Sequence, residues 1–363
     1  MQKSRRSFTK LLGASVASTA VLGRVNIVRA AADPFKAGFV YVGPIADAGW
    51  THQHDIGRRA VEEALGDKVK TTYVESVKEG PDSERVIREL AGSHGIVFTT
   101  SFGFMNPTIK VAKDFPDVKF EHATGYLRAD NVATYNIRFY EGRYIQGVIA
   151  ARLSKSGIVG YIGSVPIPEV VMGMNAFMQG MRTLRPDGKI KIVWINSWYD
   201  PGKEADAAKA LIDQGADMIA QHTDSAAPLQ VAEERGMQGF GQASDMIQFA
   251  PKAQLTSSID FWNPYYVERV KAAMEGTWTS GDVWGGLSAG MLVMAPYTNM
   301  PDDVKAAAQA AEEGIKSGQI TIFKGPIKDQ DGNLKVQDGQ VLNDGEIAGM
   351  DWLAEGVEGK LPS

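Results

Sequence analysis

Two tryptophans stand in loop-like stretches of this chain instead of in apolar runs. Trp50 follows Asp47-Ala48-Gly49, and Trp198 lies within Asn196-Ser197-Trp198-Tyr199-Asp200. An indole presents a broad flat face, and two opposed indoles can hold a flat ring between them. Most tryptophans serve a core instead, but a glycine-flanked or polar loop gives an indole little core to enter. Phe102 sits in a third such stretch, Ser101-Phe102-Gly103-Phe104. Asp47, Thr51, Asn106, Glu169 and Asp245 are placed to supply hydrogen bonds to the edge of a ring. Each also has an ordinary alternative. Asp47, Thr51 and Asn106 could cap helices, Asp245 could form a turn, and Glu169 could be a solvated helix start.

Covalent and metal chemistry find less support. The chain has no cysteine, which excludes disulfides, thiolate zinc sites, iron–sulfur clusters, cysteine nucleophiles and a lipoprotein anchor. His52 and His54 are spaced i, i+2 at the start of a helical pattern, which points their rings apart. Asp329-Gln330-Asp331-Gly332-Asn333 lacks the spacing and closing glutamate of a calcium loop and reads as a turn. Neither a phosphate-binding P-loop nor a dinucleotide G-x-G-x-x-G is present. No enzyme, cofactor or metal site is therefore expected.

The elements that must carry these residues alternate. Phe39 to Val42, Lys70 to Val74, Gly95 to Thr99 and Val118 to His122 read as strands. Helical patterns run from Thr51 to Leu65, from Asp82 to Leu90 with Asp82 or Ser83 as cap, and from Pro107 to Asp114. The alternation then restarts with a helix from Glu141 to Leu153. Strands at Ile158–Ile162, Ile190–Ile195 and Asp217–Ala220 follow, separated by helices at Val170–Met181 and Lys203–Ile212. Two such series imply an α/β protein of two doubly wound, parallel-sheet lobes. In such sheets ligands bind beyond the carboxyl ends of the strands. That rule selects the loops 43–54, 75–82, 101–107, 124–131, 164–170, 195–202, 221–228 and 242–248. Asp-Gly pairs at 331–332, 338–339 and 344–345 suit surface hairpins.

The first thirty residues read differently. Arg5-Arg6 precede an apolar run from Leu11 to Leu22, and Val28-Arg29-Ala30 follows as a small-residue cleavage site. This is the pattern of a twin-arginine signal peptide, 1–30, with the mature chain beginning near Ala31 in the periplasm. The chain carries 38 basic and 43 acidic side chains, and residues 1–30 hold six of the former and none of the latter. The remainder has 32 against 43, a formal charge of −11. Such a surface repels phosphate backbones and anionic lipid, so no nucleic acid and no membrane anchor is expected.

Several segments in order resemble one family. They are Gly43-Pro44-Ile45-Ala46-Asp47-Ala48-Gly49-Trp50-Thr51, Phe115-Pro116-Asp117-Val118-Lys119-Phe120 and Glu141-Gly142-Arg143-Tyr144-Ile145-Gln146-Gly147. Asn175-Ala176-Phe177-Met178-Gln179-Gly180 and Gly215-Ala216-Asp217 complete the set. Between Ala37 and Ala295 the chain is similar to the basic membrane protein family, the purine-nucleoside-receptor-like solute receptors. The resemblance implies a type I periplasmic binding fold whose lobes close on a ligand cleft about a hinge. It implies lobes of residues 34–137 with 260–290 and of 138–259 with 291–363. It also implies a permease of the ABC type as partner and a purine base stacked between two aromatics, which by position are Trp50 and Trp198. Two departures bear on the ligand. Thr51 stands where the family often has asparagine, and Gly241-Gln242-Ala243-Ser244-Asp245 replaces a motif whose first aspartate holds ribose hydroxyls. Ala243 cannot do so, which favours a free base such as adenine over a nucleoside. A nucleoside-processing enzyme or a sensor-only binding protein on the same fold is the alternative.

Overall fold

The computed structural model describes residues 33–362. β1 (Phe35–Tyr41) is a strand covered on both faces: Ala37, Phe39 and Tyr41 enter one core, and Val40, between them, enters another. It is followed by α1 (Trp50–Leu65), β2 (Val69–Val74), α2 (Pro81–Ala91), β3 (Ile96–Thr100), α3 (Met105–Ala112), β4 (Lys119–Ala123) and β5 (Val132–Ile137). A second series opens with α4 (Phe139–Leu153), β6 (Ile158–Gly163), α5 (Pro168–Arg182), β7 (Lys189–Trp194) and α6 (Pro201–Asp213). It continues with β8 (Met218–His222), α7 (Ala227–Glu234), β9 (Gln238–Gly241), β10 (Gln254–Asp260) and α8 (Asn263–Glu275). The last part holds β11 (Asp282–Gly285), β12 (Leu292–Met294), α9 (Asp302–Lys316), β13 (Ile327–Lys328), β14 (Leu334–Val336), α10 (Asp344–Ala348) and β15 (Val357–Glu358).

The strands form two large sheets. One runs β11-β5-β4-β3-β1-β2 and is parallel throughout. The other runs β12-β10-β9-β8-β6-β7-β15 and is parallel except for the β12 edge. In each, the connections leave the first strand in opposite directions, toward β2 and β3 in one lobe and toward β7 and β8 in the other. That reversal opens a crevice at the carboxyl ends of β1 and β3, and of β6 and β8. The registers align those ends, Tyr41 with Thr100 and Gly163 with both Trp194 and His222. The chain passes between the sheets three times, at Arg138, at Phe261-Trp262 and between Gly285 and Leu292.

Helices α4 and α5 pack backbone to backbone. A Cβ at Gly147 would lie 2.0 Å from the Phe177 carbonyl oxygen, and one at Gly180 2.1 Å from that of Tyr144. No side chain fits at either position, and the close packing fixes the helices that carry Arg143 and Glu169 toward the crevice.

Two local expectations change. Neither Asp82 nor Ser83 caps α2: Pro81 opens the helix after Gly80, and the Ser83 hydroxyl donates back to the Gly80 carbonyl at 2.8 Å. Asp344-Gly345 is not a hairpin turn but the first turn of α10, capped reciprocally by Asn343 and Glu346. The hydrogen bonds of a capping box outweigh the turn preference of an Asp-Gly pair there. Asp331-Gly332 does join the antiparallel pair β13 and β14. Among the described residues no helix is long and apolar enough to cross a membrane. The twin-arginine segment lies outside the described residues.

Candidate functional site

Facing strand ends of the two sheets line a small, partly open cavity. The first lobe lines it with Val42, Trp50, Ser101, Phe102 and Thr124. The second contributes Glu169, Trp198, His222, Asp224 and Gln242. Each follows or ends a strand, or stands in the first turn of the helix after it.

Trp50 opens α1. Its Nε1–H donates to the Thr100 carbonyl at 2.7 Å, and its ring stands edge-on to His54 and Trp262 at 4.3 and 5.6 Å. A strand end and a buried aromatic cluster therefore fix the plane of this indole. Trp198 comes from the other lobe, and its Nε1–H points to Glu79 Oε1 of the first lobe at 3.4 Å. Glu79 also accepts the Ser101 hydroxyl at 2.6 Å and the Gly103 N–H at 3.0 Å, so one carboxylate ties the rim of both lobes. Phe102 lies in a single 3-10 turn ahead of α3, its ring 6.4 Å from that of Tyr126.

The lobes also meet at Gly49. Its N–H donates to Ser244 Oγ at 2.8 Å, and the Gln53 amide donates to the same oxygen at 3.2 Å. The Trp50 N–H donates to Asp224 Oδ1 at 3.2 Å. With φ of 94°, Gly49 lets its backbone approach Asp224 closely; a Cβ there would stand 2.4 Å from the Asp224 carbonyl oxygen.

Carboxyl groups dominate the electrostatics. Withdrawal from water pushes Asp224 up to about 8; the charges of Glu204 and Glu169 add to the rise, and the Trp50 amide opposes it. Burial also pushes Asp260 well up, and neither of its oxygens has a hydrogen-bond partner. Glu169 accepts from the Asn136 amide at 3.3 Å and lies 3.5 Å from His222 Nε2. Burial lowers the His222 pKa, so its ring is neutral at pH 7 and this contact is not an ion pair. Arg143 is wholly buried and donates to the side-chain oxygens of Gln146 and Gln242. Because a guanidinium only donates, the Gln242 oxygen must face it, leaving the amide N–H₂ as the end free for another partner. Such a cleft disfavours anions and offers acceptors to a ligand's N–H groups.

Of the residues singled out from sequence, Trp50, Phe102, Glu169 and Trp198 line the cavity. The other four do not. Asp47 is exposed beside a separate surface cleft that it shares with Tyr199. Thr51 is buried with its hydroxyl unpartnered, and Asn106 is exposed in the first turn of α3. Asp245 is occupied locally, since its Oδ1 accepts from the Gln254 amide at 2.6 Å and the Ile247 N–H at 3.1 Å. None of these caps a helix: α1 starts after Gly49 and α3 after Phe104. His222, Asp224 and Gln242 were not singled out, although the first two lie in the 221–228 loop and the third in 242–248. Gly286-Leu287-Ser288-Ala289-Gly290 matches the nucleophile-elbow pattern G-x-S-x-G. It lies in a turn between β11 and β12, with Ser288 exposed and no helix following, so it lacks the elbow's strand-to-helix context.

Residues 35–331 match the family model described as ABC transporter substrate-binding protein PnrA-like. The chain belongs to this PnrA-like family. A purine-binding protein of Brucella abortus (strain 2308) is 59% identical over 333 residues, covering 92% of this chain and 95% of that protein. A Haloferax volcanii protein, provisionally named as the glucose-binding protein of an ABC transporter, is 36% identical over 331 residues, 90% of this chain and 81% of its own. Among solved structures, a solute-binding protein of an ABC transporter system from Aeropyrum pernix K1 superposes with a TM-score of 0.69 at 18% identity, covering 82% of this chain and 93% of that one. One from Conexibacter woesei does so with a TM-score of 0.62 at 23% identity, covering 79% and 97%. PnrA-like proteins are substrate receptors, so a small molecule and a transporter belong to this chain's function, and the periplasmic-binding-protein fold with two lobes is shared with these structures.

Proposed function

We propose that this PnrA-like protein is the periplasmic receptor of an ABC importer for a purine, taking a free base such as adenine in preference to its nucleoside. It reaches the periplasm by the twin-arginine route and performs no catalysis. The observation that carries this reading is the pair of indoles, Trp50 and Trp198, lining one small cavity from opposite lobes. The lobes, residues 34–137 with 260–290 and 138–259 with 291–363, close about the three crossings and stack the ring between these side chains.

Ala243 favours the base over the nucleoside. It is wholly buried with φ of 59°, and its carbonyl accepts the Asp260 N–H at 2.8 Å. Its side chain gives a ribose hydroxyl no acceptor, and a buried hydroxyl without a partner costs about 1–3 kcal/mol. The name of the Brucella relative supports a purine; that of the Haloferax relative supports a sugar, as a second reading. A hexose needs hydrogen bonds around its whole rim, whereas a purine base needs two flat faces and a few edge contacts.

Native mass spectrometry of the purified protein identifies any retained ligand. Calorimetry on refolded, ligand-stripped protein should then rank adenine above adenosine and above glucose. Tighter binding of adenosine or guanosine than of every free base tried would refute the Ala243 argument. Glucose binding with no purine binding would establish the second reading. Loss of purine uptake on deletion separates transport from sensing.

A further inference from the structure

Asp224 joins the ligand cavity to the contact between lobes. Its backbone N–H donates to the Trp198 carbonyl at 3.0 Å, and its Oδ1 accepts the Trp50 N–H at 3.2 Å from the opposite lobe. Among the described residues no donor reaches Oδ2. Helix α1 has no capping side chain of its own and no acid in its first turn. Its exposed N–H groups and positive dipole end are instead met by Asp224 and Ser244, both from the second lobe.

We propose that Asp224 is the specificity-determining carboxyl of the cleft, its Oδ2 accepting an N–H from an amino-substituted ring while its Oδ1 caps α1 across the cleft. The same side chain thus reads the ligand and holds the lobes together. The first half rests on the purine reading; the second stands on the interlobe geometry alone. The other polar groups fit this chemistry. Gln242 offers its amide N–H₂, because Arg143 holds its oxygen, and Glu169 offers a second acceptor. A ring nitrogen beside an amino group matches a donor beside a carboxylate. An oxo group in the amino position would set its lone pairs against Asp224 once that carboxyl is ionised, above about pH 8; below it, the protonated Oδ2 can donate to the oxo group instead.

A hydrogen bond from an amino group is strongest to the ionised carboxylate. Asp224 holds its proton to about pH 8, so an amino ligand binding at neutral pH displaces that proton. The bound form favours ionisation, so affinity rises with pH up to about 8 and is flat above it. The charged and titratable groups around Asp224 are Glu204 on α6, Glu169 on α5, His222 at the end of β8, Asp260 at the end of β10 and Arg143 on α4. Tyr199 and Asp47 complete the outer side. Glu169 shares the cavity and is the group to control.

Calorimetry of adenine and hypoxanthine from about pH 6 to 9, in buffers of different ionisation enthalpy, tests the first half on wild type, Asp224→Asn and Glu169→Gln. Adenine should tighten roughly five- to tenfold per pH unit below 8 with release of about one proton, and should outbind hypoxanthine above pH 8, where Asp224 is ionised. Asp224→Asn keeps an acceptor for the Trp50 N–H yet should abolish the pH slope and the proton release, while Glu169→Gln keeps both with the slope ending at a lower pH, because the Glu169 charge raises Asp224. A pH-independent wild type, a slope surviving in Asp224→Asn, or hypoxanthine binding as tightly as adenine above pH 8 overturns it. If wild type binds neither base at any pH, the purine reading and the amino-ring half fall together. The capping half is then decided by small-angle scattering, where Asp224→Ala and Ser244→Ala should enlarge the radius of gyration of the protein as purified. Unchanged radii overturn that half.

Discussion

Replacing Gly49 by alanine should weaken ligand binding by preventing closure, without touching the ligand. In the described state Gly49 has φ of 94° and ψ of −170°, a region open essentially to glycine alone, and its own N–H is bonded to Ser244. Another residue held there costs about 1–3 kcal/mol. The added methyl would also stand 2.4 Å from the Asp224 carbonyl oxygen and 3.1 Å from its Cβ. Both penalties belong to the closed arrangement, because separating the lobes removes Asp224 and frees the Gly49 backbone. At 1.4 kcal/mol per decade the backbone strain alone shifts closure by roughly fivefold to 150-fold. Apparent affinity falls by the same factor when only the closed form holds ligand. Calorimetry with adenine reads the affinity. Scattering on the same samples should give a larger radius of gyration than wild type with ligand, while melting of the ligand-free protein should change little. Wild-type affinity in Gly49→Ala, or an equally compact liganded state, would refute the argument that this contact forms on closure.

Trp198→Ala should lose about 1–3 kcal/mol of binding, the usual worth of an aromatic–base stack, or roughly tenfold to hundredfold by calorimetry; an unchanged affinity rules out the sandwich. Ligand should quench tryptophan fluorescence in wild type, and a silent titration with a ligand that calorimetry shows to bind argues against burial between indoles. His122 is buried against Thr99, and desolvation lowers its pKa from the usual 6.5 to about 3. The unfolded state therefore takes up a proton that the folded state refuses, so this stability is present above pH 6.5 and is lost as pH falls toward about 3. By pH 5 the loss from this residue is about 2 kcal/mol, and His54 and His222 act in the same direction, while the raised carboxyls of Asp224 and Asp260 gain stability as pH falls. The His122 part is therefore read against His122→Asn, whose urea midpoint should improve relative to wild type from pH 7 to 5, and a constant difference would contradict it. Lysine in place of both Arg5 and Arg6 should leave the protein in the cytoplasm, and an undiminished periplasmic yield would sink the twin-arginine assignment.

Much of the scaffold was legible because parallel strands covered on both faces leave short, nearly continuous apolar runs. The run ending at Tyr41 and the one at Ile96–Thr100 stand out from the amphipathic helices between them. From those runs follow the lobes, the strand ends and the loops that could face a ligand. Helix starts were less legible. Asp82 and Ser83 fit the cap rule where Gly80 and Pro81 in fact open α2, and Asp344-Gly345 fits a hairpin turn where Asn343 in fact caps α10.

The aromatic half of the site depended on composition and place, which sequence carries: Trp50, Phe102 and Trp198 lie beyond strand ends in polar or glycine-flanked stretches, and all three line the cavity. The polar half did not. Asp224 and Asp245 are both aspartates in loops after strands, and nothing local separates them. Asp245 turns inward to Gln254, nine residues away, while Asp224 meets an amide 174 residues distant in the other lobe. The free end of Gln242 depends likewise on Arg143, 99 residues earlier on α4. A sequence determines which side chains stand beyond the strands. Which of them face the ligand is decided only when two lobes meet, because the partner that occupies or frees each polar group comes from another part of the chain.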